Sequence, residues 1–97
     1  MQLHFEWDPV KAASNLRKHG VSFETATRVF ADPNALMQHD RVKDGEERWL
    51  AIGVVEGFVM LTVAHVIYED DQIETIRIIS ARRADRNERR RYEEANR

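Results

Sequence analysis

Apolar residues alternate with polar ones from the start of the chain: Leu3, Phe5 and Trp7 are separated by His4 and Glu6, which predicts a short strand. Asp8-Pro9 ends it and opens a helix, because aspartate caps free N–H groups and proline loses no hydrogen bond at the first helical position. Val10, Ala13 and Leu16 give that helix an apolar side, Lys11, Arg17 and Lys18 a polar one, and Gly20 ends it. Lys18 and His19 then fall in its last turn, where positive charge meets exposed carbonyls. Ser22 is placed to cap a second helix whose stripe is Phe23, Ala26, Val29 and Phe30, stopped by Asp32-Pro33.

The pattern then changes to a period of two. Leu36, Met37 and Gln38 read as the start of an irregular strand, and residues 40–45 as a polar connection containing an Asp44-Gly45 turn. Residues 47–55 are compatible with a strand. Glu56-Gly57 offers a tight connection into residues 58–68, the strongest strand signal in the chain. There Phe58, Met60, Thr62, Ala64 and Val66 oppose Val59, Leu61, Val63, His65 and Ile67, so both faces are largely apolar and a central position is expected. An acidic turn, residues 69–72, leads to a last strand in which strict alternation puts Ile76, Ile78 and Ser80 on one face and Thr75, Arg77 and Ile79 on the other. Asp85 with Glu88 three residues later matches a reciprocal helix cap, and a polar helix follows through Ala95 with Tyr92 as its apolar anchor. The expected fold class is α/β (α+β): a compact antiparallel sheet, two N-terminal helices and a C-terminal helix. Residues 1–97 form one domain, with the terminal helix after residue 85 free to fray.

Length and composition narrow the classes. Ninety-seven residues support one modest core, and the absence of cysteine excludes disulfides and thiolate chemistry. The four histidines lack a zinc-site spacing, and the longest apolar segment, residues 58–67, is far short of the roughly 20 residues that cross a bilayer. No membrane association is expected. Without an apolar N-terminal targeting stretch, a cytoplasmic location is expected. The formal charge is −2, but residues 82–97 hold seven arginines against four acids, a local +3 that leaves −5 for the remainder.

No catalytic triad, carboxylate metal cluster or phosphate-binding glycine loop is present, and Gly53 and Gly57 stand alone as turn or close-packing residues. The chemistry-bearing set is Lys18, His19, Arg48, His65, Arg77 and Arg82. RNA cleavage without metal or other cofactor needs a base for the 2′-hydroxyl, cations for the pentavalent phosphate and an acid for the leaving oxygen; histidine, lysine and arginine supply these. His65 interrupts an apolar strand face, as either a proton-transfer group or a buried structural histidine. Arg48 and Trp49 point to opposite faces, the indole inward. Arg77 needs a carboxylate if its face is covered and serves as a phosphate fork if it is open.

The blocks Phe5-Glu-Trp-Asp-Pro, Asn15-Leu-Arg-Lys-His-Gly-Val-Ser-Phe-Glu24, Arg48-Trp, Ile52-Gly and Arg77-Ile-Ile-Ser-Ala-Arg82, with Glu88-Arg-Arg and Tyr92 behind them, resemble the BrnT family of bacterial toxins over roughly residues 3–92. The resemblance implies a RelE-like ribonuclease fold and the toxin half of a type II toxin-antitoxin pair that cleaves RNA and inhibits translation. It also implies neutralisation by a BrnA-type antitoxin through which the complex reaches operator DNA. It directs attention to Lys18 and His19 in the Lys-His-Gly block and to Arg48, Arg77 and Arg82. One position departs: after Val63-Ala-His65, many relatives carry an aromatic residue and an arginine, whereas this chain has Val66-Ile67-Tyr68. The competing readings are a catalytically weak or inactive antitoxin-binding protein and a structural interaction protein without RNA activity.

Overall fold

The computed structural model describes residues 2–97. The elements are β1 (Gln2–Glu6), α1 (Pro9–His19), α2 (Phe23–Ala26) continued by a 3₁₀ turn (Thr27–Ala31), β2 (Leu36–Lys43), β3 (Glu46–Val55), β4 (Val59–Asp70), β5 (Ile73–Arg83) and α3 (Arg86–Ala95). The five strands form one sheet in the order β1-β5-β4-β3-β2, with β4 central. No helix among the described residues is long and apolar enough to cross a membrane.

The sheet is antiparallel from β5 to β2, but β1 joins β5 in parallel, with Phe5 beside Ile76 and Glu6 beside Arg77. This corrects the fully antiparallel expectation. The first strand is separated from the last by the rest of the domain, and so long a crossover permits a parallel partner that a hairpin forbids.

α1, α2 and the 3₁₀ turn cover one sheet face. Beneath them lie Phe23, Ala26 and Val29 from the helical layer and Ala51, Val55, Leu61, Val63, Ile76, Ile78 and Ala81 from the strands. α1 docks differently from its apolar stripe: Val10 and Leu16 are 75% and 50% exposed, whereas Asn15 is buried. The Asn15 amide takes the place of a missing strand. Its Nδ2 donates to the carbonyls of Val21 (2.9 Å) and Ala81 (2.8 Å), and its Oδ1 accepts from the Ala81 N–H (3.1 Å). β1 pairs only with residues 73–77 of β5, so these bonds satisfy backbone groups that would otherwise be buried without partners.

α3 lies on the opposite face, over the Thr62 and Arg82 end. Asp85 and Glu88 form the expected capping box, the Asp85 carboxylate accepting from the Glu88 N–H (2.8 Å) and the Glu88 carboxylate from the Asp85 N–H (2.9 Å). Farther along, the Tyr92 hydroxyl donates to Asp32 Oδ2 (2.7 Å), which also accepts from the Val54 N–H (2.8 Å). These contacts hold α3 at both ends.

Candidate functional site

Two β-bulges decide which side chains reach the face that α3 leaves open. On β5, Ala64 pairs with Ser80 but the next residue, His65, pairs with Ile78, so Ile79 is the extra residue. Before the bulge Ile76 and Ile78 enter the core; after it Ala81 does, and Ser80 and Arg82 turn to Arg77's side. Strict alternation would have put Arg82 with Ile76 and Ser80 with the core. The second bulge is at Asp40 on β2: His39 pairs with Trp49 and Arg41 with Arg48. It turns Arg41 and Lys43 onto the same open face. Bulges re-aim side chains in this way, and here both do so for arginines.

The result is a row across the sheet. Arg41 lies opposite Arg48, the register of β3 and β4 sets Arg48 beside Val66, Val66 faces Arg77, and Arg77 faces Glu6. Arg48 and Arg77 are two strand spacings apart, roughly 10 Å. Arg77 Nη1 donates to Glu6 Oε2 at 3.1 Å, both side chains partly exposed. Arg48 has no ion-pair partner among the described residues, and its Nε is buried without a hydrogen bond. In the neighbouring row, Glu46 faces Lys43 and accepts a hydrogen bond from the Tyr68 hydroxyl. That bond, with partial burial and the Glu46 charge, raises the Tyr68 phenol above its ordinary range, while the nearby Arg77 charge acts the other way.

Arg82 lies on the same face but four positions away along β4, opposite Thr62 and against α3. Its Nη1 and Nη2 donate to the two carboxylate oxygens of Glu88 at 2.7 and 2.9 Å, and the Thr62 hydroxyl adds a third bond at 2.9 Å. Burial alone would push the Glu88 carboxyl up. The Arg82 guanidinium, the Asp85 N–H and the Thr62 hydroxyl outweigh it and hold the group at about 2. Glu88 is 3% exposed, so this is a charge-assisted clamp joining α3 to β4 and β5.

The other three candidates from the sequence lie elsewhere. His65 is 0% exposed on the helix-covered face, its ring edge-on to Phe30 with centroids 4.9 Å apart. Its Nδ1 sits 3.1 Å from the Val63 carbonyl, which fits a proton on that nitrogen, and Nε2 has no partner. Burial lowers its pKa, against the Val63 bond. Lys18 and His19 are exposed at the end of α1 on that same side of the sheet. His19 lines a cleft of about 410 Å³ with Leu16, Val21, Ser22, Thr25 and Arg83. The fold therefore puts Arg48, Arg77 and Arg82 on one face, Arg48 and Arg77 in one row and Arg82 apart from them at the α3 end, and separates all three from Lys18, His19 and His65.

Arg41 was hidden by reading residues 40–45 as a connection. A signal was present: Asp44 and Gly45 have φ of 52° and 77°, the two-residue hairpin turn their pairing favours, and such a turn requires strands to abut it on both sides. Glu6 was legible as a strand residue, but not as the partner of Arg77.

A family model described as "Ribonuclease toxin, BrnT, of type II toxin-antitoxin system" matches residues 7–88. No curated protein matches. Among solved structures, the 1.1 Å-resolution crystal structure of the Brucella abortus ribonuclease toxin BrnT is similar with a TM-score of 0.62 and 24% identity, covering 89% of this chain and 100% of that chain. That likeness is one of fold.

Proposed function

Because the chain belongs to the BrnT family of ribonuclease toxins of type II toxin-antitoxin systems, with an RNA target and an antitoxin partner implied, we propose that it is a metal-independent endoribonuclease whose RNA lies across the open sheet face. The common face of Arg48, Arg77 and Arg82 carries this reading. Arg48 and Arg77, in one row on the open face, give planar, permanently charged donors for phosphate, while Arg82 shares the face but is clamped to Glu88 of α3. In the reaction, the RNA 2′-oxygen attacks the adjacent phosphorus as its proton passes to a solvent water. The P–O5′ bond breaks and the 5′-oxygen takes a proton back from solvent, giving a 2′,3′-cyclic phosphate and a 5′-hydroxyl. Arg77 and Arg48 stabilise the charge that gathers on the non-bridging oxygens. Arg82 is carried in this proposal as a member of the same face, oriented by Glu88. Lys18, His19 and His65 are on its other side, which favours a structural role for His65 against Phe30 and leaves Lys18 and His19 outside the cleavage face.

The RelE-like relationship, a cytoplasmic location, a BrnA-type antitoxin and indirect operator association through that antitoxin belong to the same proposal, supported by the family blocks. Two observations favour the alternative of a catalytically weak or inactive antitoxin-binding protein: His19 and His65 are off the arginine face, and Tyr68 stands where many relatives carry an arginine. Cleavage of defined and ribosome-bound RNAs in excess chelator separates the two. We expect wild-type cleavage that antitoxin suppresses and that Arg77→Ala slows by about 10²-fold, the scale for removing one donor to a developing oxyanion. A folded wild type that binds antitoxin but cleaves none of these RNAs would establish the alternative.

A further inference from the structure

We propose that Arg41 and Arg48 form a second phosphate subsite, receiving the phosphodiester that flanks the one held at Arg77. This subsite rests on the RNA-face reading and adds Arg41 to it. It begins with an electrostatic conflict. Arg41 and Arg48 occupy directly opposed positions on β2 and β3, where like charges weaken a sheet. Uninterrupted alternation from Met37 and His39 would have kept Arg41 off this face; the Asp40 bulge creates the juxtaposition.

The local carboxylates do not resolve it. Arg41 Nε is 3.5 Å from Asp40 Oδ2, longer than a strong charge-assisted bond, and its side chain is 64% exposed. Glu46 is turned to Tyr68 and opposed by Lys43, and Glu6 is engaged by Arg77. Glu47 pairs with Val42 on the other face. Arg48 is left with no carboxylate partner among the described residues, and because its Nε is buried, its terminal Nη groups are the ones a phosphate can meet. A phosphodiester between the two side chains supplies oxygen acceptors to both and screens their repulsion. The row Arg41, Arg48, Arg77 then runs an RNA backbone across the strands from the β5 side toward the β2 edge.

The test uses the full chain and a short all-2′-O-methyl RNA, which lacks the attacking hydroxyl, so binding is read apart from cleavage. Affinity is measured from low to high salt for wild type, Arg41→Ala, Arg41→Lys, Asp40→Asn and Arg77→Ala, with urea midpoints for each. Loss of one phosphate contact on a single strand lowers the slope of log affinity against log salt by about 0.7, or about fivefold in affinity at 0.1 M relative to 1 M salt. We expect that loss in Arg41→Ala without a fall in urea midpoint, recovery of the slope in Arg41→Lys, and tighter binding by Asp40→Asn. Wild-type affinity and slope in Arg41→Ala, beside weakened Arg77→Ala, would overturn the subsite alone, as would a loss explained by a lower urea midpoint or not restored by Arg41→Lys. No salt-dependent binding by wild type would overturn both the subsite and the RNA face. Arg41-dependent binding without cleavage of ordinary RNA would uphold the subsite and reject the ribonuclease reading.

Discussion

Neutralising Glu88 by Glu88→Gln removes the charge on which α3, β4 and β5 converge while keeping the side chain's size. The carboxyl lies at about 2 in the folded protein against an ordinary 4.5. A difference of that size corresponds to about 3 kcal/mol at pH 7. A lost helix cap costs only about 1 kcal/mol, so most of the loss comes from the Arg82 pair, in which Glu88 is buried and Arg82 partly exposed. For a protein whose total stability is about 5–15 kcal/mol, the loss is large. With a urea dependence of about 1.5 kcal/mol per molar, the midpoint falls by about 2 M at pH 7. A depressed carboxyl contributes fully above its unfolded pKa, and the contribution disappears as pH falls through the folded one. The wild-type advantage therefore shrinks from about 3 kcal/mol at pH 7 to about 1 kcal/mol at pH 3. Urea titrations of both proteins at a series of pH values measure it. A gap below about 1 kcal/mol at pH 7, or one that stays constant down to pH 3, would refute the clamp as the source of the shifted carboxyl.

Gly53→Ala is expected to lower the urea midpoint, with a cost of about 1–3 kcal/mol. An added Cβ would meet Val29 Cγ1 at 3.0 Å and both the Val29 carbonyl and Asp32 Oδ2 at 3.2 Å, contacts that outweigh the ~0.4–1 kcal/mol an alanine gains by restricting the unfolded chain. A midpoint at or above wild type would contradict this packing. His65 has a depressed pKa, so the unfolded chain takes up a proton first as pH falls below 6.5, and stability drops there. His65→Leu should flatten the stability profile between pH 7 and pH 5; a profile parallel to wild type would show that His65 is not a buried neutral group.

Periodicity and caps made most of the fold legible. The Asp8-Pro9, Ser22 and Asp85/Glu88 signals lie at the starts of the three helices, and the apolar run of residues 58–68 marks the central strand, which begins one residue later at Val59. The failures share a cause: each depends on a partner distant in sequence. Nothing local marks Asn15 as a surrogate strand for Ala81 or β1 as the parallel neighbour of β5. Phe58 was grouped with the strand because it is apolar, yet it sits in the turn at 94% exposure, where tertiary contacts rather than hydropathy decide.

The candidate site was legible as a set of residue types but not as a geometry, and the two bulges explain why. A period-two reading carried through Ile79 assigns Arg82 to the core and Ala81 to the open face; the extra residue reverses both, and only pairing with Ala64 and His65 reveals it. The Asp40 bulge does the same for Arg41 against Arg48. Net charge was equally misleading, since acids at residues 69–71 lie in the distal β4–β5 turn region while the bulges collect guanidiniums on one face. An overall charge of −2 describes the field far from the molecule. Close to the open face, Arg41, Arg48 and Arg77 instead set the local field, and Arg48 has no carboxylate partner among the described residues.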